Sequence, residues 1–218
     1  MREQAQKLEA LDSSRDIRRR LTRKSLERMC LPQRFWHAEF ARITEGEHKV
    51  AIEKYIAKIK EALDKGFGMV LWGGNGVGKT AVAALCLKEA RRRGSTGMFI
   101  TANQYLSDTI SRAQFNDAHS VQQRCKLVDL LVLDDLGKET VDFSRGKDTS
   151  EAMLEDLIRY RSANMRSTII TMNLSPEKME KRYGKSFARV MQESNPVIEM
   201  VGPSQRETEK KELVRFFN

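Results

Sequence analysis

The 218-residue sequence predicts an α/β fold, with a five-stranded parallel sheet flanked by helices. Two observations carry this prediction. Five short apolar runs, GMVLW (68–72), MFIT (98–101), LLVLDD (130–135), STIIT (167–171) and PVIEMVG (196–202), alternate with stretches of helical periodicity. The first run leads directly into Gly73-Gly74-Asn75-Gly76-Val77-Gly78-Lys79-Thr80, a G-x-x-x-x-G-K-[ST] loop set between a strand and a helix. Runs that are apolar without alternation belong to strands covered on both faces, which is the condition of a parallel sheet.

Residues 1 to about 46 are polar and dense in charge, with Leu8, Leu11, Ile17, Leu21 and Leu26 loosely spaced as on a helix. They predict a helical arm and a connector, LPQRFWHAEF, in which Pro32 breaks the run. Phe35, Trp36 and Phe40 of the connector are expected to pack the arm on the domain that follows. EHKVAIEKYIAKIKEALDKG then places Ile52, Tyr55, Ile56, Ile59 and Leu63 on one face, which predicts a single amphipathic helix stopped by Gly66. Further helical material is expected at about 79–93, 103–126 and 149–164, with two short helices between 175 and 194. The expected division is an arm and connector over 1–46, a core over 47–207 and a tail over 208–218.

Composition limits the function. Hydrophobic residues at 40% and charged residues at 32% fit a folded chain. No apolar run approaches the roughly 18 residues of a membrane span, and the charged N-terminus lacks the apolar stretch of a secretory signal, so a cytoplasmic protein is expected. Cys30, Cys86 and Cys125 are scattered singly, which offers neither a zinc knuckle nor a disulfide framework. The net charge is +9, and residues 15–28 alone hold seven basic and two acidic side chains. An excess of this kind favours phosphate-rich partners without specifying a fold.

The glycines of the 73–80 loop let the backbone wrap closely enough to aim N–H groups at phosphate oxygens. Lys79 is expected to reach the β- and γ-phosphates, and Thr80 to offer its hydroxyl to Mg²⁺. The strand LLVLDD delivers Asp134 and Asp135 at its carboxyl end, where ligands of open α/β sheets lie. Asp134 is expected in the Mg²⁺ shell, with Asp135 orienting or deprotonating the attacking water. Between Lys79 and Asp134 lie 54 residues, room for a whole extra unit, which suits water-activating ATPases. The absence of an N-K-x-D guanine-reading signature favours ATP over GTP, and a nucleotide kinase would need an Arg-rich lid segment that is missing.

From about residue 31 to 206 the chain resembles the DnaC/DnaI helicase loaders and the related IstB transposition helpers, a lidless branch of the AAA+ ATPases of the P-loop NTPase (ASCE) class. The resemblance rests on LPQRFWHAEF, GMVLWGGNGVGKTAVAALCL, VDLLVLDDLGKE and STIITMNLSPEKMEKRYG. It implies that Asn173 is the sensor-1 residue, although an Asn ahead of Ser175 is also a good helix cap. It implies that Arg189, in GKSFARVMQES, is an arginine finger acting on a neighbour's ATP, with Arg182 as the competing position. Arg206 matches a G-x-x-x-R ending and by resemblance contacts phosphate. Asn75 stands where the family often has proline, Asp135 where much of AAA+ has glutamate, and the zinc module of some DnaI-type loaders is missing.

The resemblance implies an ATP- and Mg²⁺-dependent ATPase that self-associates through its ATP site on single-stranded DNA and loads or remodels a replicative DNA helicase. The alternatives are an IstB-type helper serving a transposase and a non-catalytic adaptor switched by ATP. The basic segment, with Arg18, Arg19 and Arg20 at its centre, is expected to contact the helicase, a neighbouring subunit or DNA phosphate.

Overall fold

A computed structural model of the chain describes residues 21–40, 43–111, 121–139, 147–205, 214, 215 and 217. Its five strands are β1 (Met69–Gly73), β2 (Gly97–Thr101), β3 (Leu130–Leu136), β4 (Ser167–Met172) and β5 (Val197–Met200). All neighbours pair in parallel, in the order β2-β3-β4-β1-β5. The strand carrying the phosphate loop therefore lies between β4 and β5, and β4 separates it from the strand carrying the acids.

The helices are α1 (Arg23–Arg28), α2 (Glu47–Ala57), α3 (Ile59–Asp64), α4 (Lys79–Arg92), α5 (Ala102–Ser111), α6 (Val121–Leu127), α7 (Lys147–Ala163) and α8 (Pro176–Glu193). They cover both faces of the sheet, and successive strand residues enter opposite cores. Met69, Leu71, Leu130 and Val132 pack with Ile52, Ile59, Val82 and Leu87. Val70, Leu131 and Leu133 pack with Tyr105, Leu157, Met179 and Phe187 on the other side. The alternation of side chains along a strand thus explains why these runs are apolar on both faces over most of their length.

Two features depart from the expectations and one agrees with them. The helix expected after residue 47 is two helices, because Lys58 leaves helical geometry (φ −104°, ψ 20°), and the second turns Ile59, Ala62 and Leu63 into the core. The two short helices expected between 175 and 194 are present within α8, the first capped by Ser175 and the two parted at Gly184, whose backbone is not helical (φ 86°, ψ 163°). Leu26 and Met29, read as arm, and Leu31, the first residue of the connector, are buried with the main core, and the Phe99 N–H donates to the Met29 carbonyl at the open edge of β2. The rest of the expected arm, residues 1–20, lies outside the described residues, as do 206–213 of the core end and tail. Among the described residues no helix is long and apolar enough to cross a membrane.

Candidate functional site

The site begins where β1 ends. Gly76 (φ 84°) and Gly78 (φ 97°) adopt the left-handed backbone that the loop needs and that other residues resist. Helix α4 starts immediately after, and no side chain caps its N-terminus, so its first N–H groups face the cavity beyond. Lys79 is buried, and its Nζ donates to the carbonyls of Gly73 (2.9 Å) and Gly74 (2.7 Å). The ammonium is thereby folded into the loop whose concave side lines the cavity.

Two strands bring the acids to this loop. The ladder between β3 and β4 shifts register between Leu133 and Leu136, and Asp135 within this irregularity has φ 58°. Asp134 is buried, and its Oδ1 accepts from Thr80 Oγ1 (2.9 Å) and Thr171 Oγ1 (2.6 Å). Burial raises its carboxyl above the ordinary range and the neighbouring Asp135 adds to this, while the Thr171 and Thr80 hydroxyls work against it. Thr171 Oγ1 also accepts the Asp135 N–H (3.0 Å), so one β4 side chain fixes both acids. Asp135 Oδ1 in turn pairs with Lys138 Nζ at 2.7 Å.

At the end of β4, Asn173 Nδ2 donates to Asn75 Oδ1 (2.8 Å), while the helix cap is supplied by Ser175. Asn173 thus faces the phosphate loop. From the far side the Gln205 N–H donates to the Gly76 carbonyl (2.9 Å).

A cavity of about 190 Å³ lies over the loop, lined by Asn75 to Ala81, Asp135, Lys138 and Asn173. Its other wall is the connector, through Arg34, His37 and Glu39. Lys88 of α4 holds that wall by donating to the Trp36 (3.0 Å) and Ala38 (2.7 Å) carbonyls, and Phe35, Trp36 and Phe40 pack half-buried on the core. Sequence reasoning assigned the connector a packing role and missed its place in the cleft. Thr171 and Lys138 were also missed; for Thr171, a polar residue inside a strand aimed at Asn173 was the available signal.

The two candidate arginines among the described residues, Arg182 and Arg189, separate. Arg182 is committed within its own chain, donating to the Gly137 carbonyl (2.8 Å) and to Glu139 Oε2 (2.9 Å). Buried Glu139 also accepts from Tyr183 Oη (2.7 Å) and the Gly137 N–H (2.7 Å). Arg189 lies outside the cavity with its side chain 85% exposed, 3.8 Å from Glu193. Arg206 lies outside the described residues.

The donor set suits a hard divalent cation. The Thr80 hydroxyl and the Asp134 carboxylate are adjacent oxygen donors beside an anion cradle, which is how Mg²⁺ is held together with substrate phosphates and water. Among the described residues no group of three or more His, Cys, Asp or Glu side chains forms an all-protein metal cage.

A family model described as "IstB-like ATP binding protein" matches residues 8–210. Among curated proteins, the chromosomal replication initiator protein DnaA of Zymomonas mobilis is 29% identical over 126 residues, covering 56% of this chain. The chain spans about a quarter (25%) of that relative's length. Among solved structures, the DnaC helicase loader superposes with a TM-score of 0.68 at 23% identity, covering 78% of this chain and all (100%) of that one. The replication initiator DnaA bound to AMPPCP and single-stranded DNA superposes with a TM-score of 0.60 at 17% identity, covering 82% of this chain and 55% of that one. These likenesses show a shared AAA+ fold.

Proposed function

The chain belongs to the family of IstB-like ATP-binding proteins, and from that premise we propose that it is an ATPase that assembles on single-stranded DNA and loads or remodels a replicative DNA helicase. The observation that supports hydrolysis most directly is the hydrogen-bonded run Thr80–Asp134–Thr171–Asp135, which joins phosphate loop, acid strand and β4 at one end of the sheet.

In this reading the loop N–H groups from Gly73 to Thr80, with Lys79, hold the β- and γ-phosphates of ATP. Thr80 and Asp134 are the residues that would hold Mg²⁺, which when bound offsets phosphate charge. Asp135 takes a proton from water as the water oxygen attacks the γ-phosphorus, and the bond to the bridging oxygen breaks to leave ADP and phosphate. Asn173, already placed against the loop, holds the γ-phosphate or the water. Arg189 acts on the ATP of a neighbouring copy, a role that its exposure outside its own cavity supports. Arg206 contacts phosphate, residues 47–207 form the ATPase core and residues 1–46 bind the partner.

The DNA part of the reading is supported by the surplus of basic residues over 15–28 and by the single-stranded DNA in the DnaA structure of the same fold. The helicase is supported by the likeness to the DnaC helicase loader structure, which is matched over its whole length by 78% of this chain. A second reading, a transposition helper serving a transposase, is favoured by the IstB-like match, which runs from residue 8 through most of the arm. ATP turnover with and without single-stranded DNA tests the first part, and stimulation is expected; a basal rate that DNA does not change means an ATP-switched adaptor. Capture of purified helicase against purified transposase on the immobilised protein decides between loader and helper.

A further inference from the structure

Lys138 was assigned no role by the sequence, yet its side chain lies in the candidate ATP cavity. The turn after β3 puts it there. The Lys138 N–H donates to the Asp135 carbonyl (3.2 Å), and Gly137 supplies the positive φ (95°) that closes the turn. The turn is braced from behind, because Glu139 accepts the Gly137 N–H while Arg182 donates to the Gly137 carbonyl. The ammonium is thereby carried back onto Asp135 Oδ1 at 2.7 Å, with both side chains lining the cavity beside Asn75, Lys79, Thr80 and Asn173.

The ammonium occupies one of the two carboxylate oxygens of Asp135 that could take a proton from water. The pair is also only partly buried, with side-chain exposures of 42% and 39%, so an exchange of partners does not strand a charge in a dry interior. A phosphate group entering between Asn75, Asn173 and Thr80 brings more negative charge than one carboxylate and competes for the same ammonium.

Resting on the reading of this cavity as the ATP site, we propose that Lys138 is a γ-phosphate-sensing residue that exchanges its partner. It holds Asp135 Oδ1 in the nucleotide-free chain and transfers to the γ-phosphate when a triphosphate binds, which leaves both carboxylate oxygens of Asp135 to water. ADP, lacking the terminal phosphate, leaves the Lys138–Asp135 pair in place. Lys138 therefore contributes to the preference for triphosphate over diphosphate, in addition to the contacts of Lys79 that both nucleotides share.

The test is calorimetric binding of Mg²⁺-AMPPCP and Mg²⁺-ADP to wild type, Lys138→Met, Lys138→Arg and Lys79→Ala. Lys138→Met is expected to weaken AMPPCP about tenfold while ADP changes by less than about twofold, and Lys138→Arg is expected to restore most of the difference. Equal losses for both nucleotides, or no loss for either, would overturn the sensing role, because a merely structural lysine does not discriminate between them. Wild type that binds neither nucleotide would overturn the underlying ATP-site reading instead, and the Lys79→Ala control, expected to lose both, identifies the cavity as the place of binding.

Discussion

Thr171 Oγ1 donates to Asp134 Oδ1 at 2.6 Å and accepts the Asp135 N–H at 3.0 Å, so a single hydroxyl on the strand beside the acids orients both. Its removal exposes what the arrangement costs. Thr171→Val keeps shape and burial but leaves Asp134 one donor short and the Asp135 N–H unpaired. The expected loss is about 1–3 kcal/mol of stability, read as a lower urea midpoint with an unchanged slope. A variant as stable as wild type would show that water replaces the hydroxyl.

Asp134 also makes a prediction about pH. Its carboxyl is held above its ordinary value of 3.8, chiefly by burial, so the folded state retains the proton longer than the unfolded chain does. The resulting stability is present below the unfolded value and is lost as pH rises through the folded one. Asp134→Asn, whose amide oxygen still accepts from Thr80 and Thr171, removes that loss. It is expected to melt higher than wild type at neutral pH without nucleotide, by about 2–4 °C for each kcal/mol relieved. The same variant is expected to lose the response to Mg²⁺-ATP. A lower melting point at pH 7 would contradict the argument.

The two candidate finger arginines are expected to fail in different ways. Arg189→Ala, altering an exposed side chain, keeps the fold and ATP binding but loses DNA-stimulated turnover. Because the finger acts between copies, mixing it with Lys79→Ala, which supplies an intact Arg189, should recover part of the activity. No recovery at any mixing ratio argues for action within one copy. Arg182→Ala instead leaves buried Glu139 with an uncompensated charge and is expected to cost about 3 kcal/mol in denaturant unfolding.

The basic arm is tested through salt. Replacing Arg18, Arg19 and Arg20 with glutamine should reduce the slope of log affinity for single-stranded DNA against log salt by about 2, at roughly 0.7 per phosphate contact. An unchanged slope together with lost partner capture assigns the segment to protein recognition.

Much of the site was readable because its parts are contiguous. Residues 73–80 carry their backbone requirement in their own glycines, and LLVLDD announces both a buried strand and the acids at its end. The five strands were legible for a related reason: a strand that faces two cores is apolar without alternation over most of its length, and this leaves a local mark. The break at Lys58 left no such mark, since the apolar spacing runs through it unchanged. Nor did the connector's place in the cleft, which depends on Lys88 reaching carbonyls about 50 residues away in sequence.

The sequence by itself determined the class of chemistry. A phosphate loop, an acidic strand end and an amide after the next strand need particular residue types at short spacing, and local sequence records short spacing well. Only the tertiary structure decided which side chains meet: that β4 lies between β1 and β3, that Thr171 therefore touches both acids, that Asn173 reaches Asn75, and that Lys138 rests on Asp135. It also decided that Arg182 is held within its own chain while Arg189 is exposed. The physical reason is that hydrogen bonds and ion pairs act over about 3 Å in space, whereas their partners here stand up to 98 residues apart along the chain, and sheet order closes that gap.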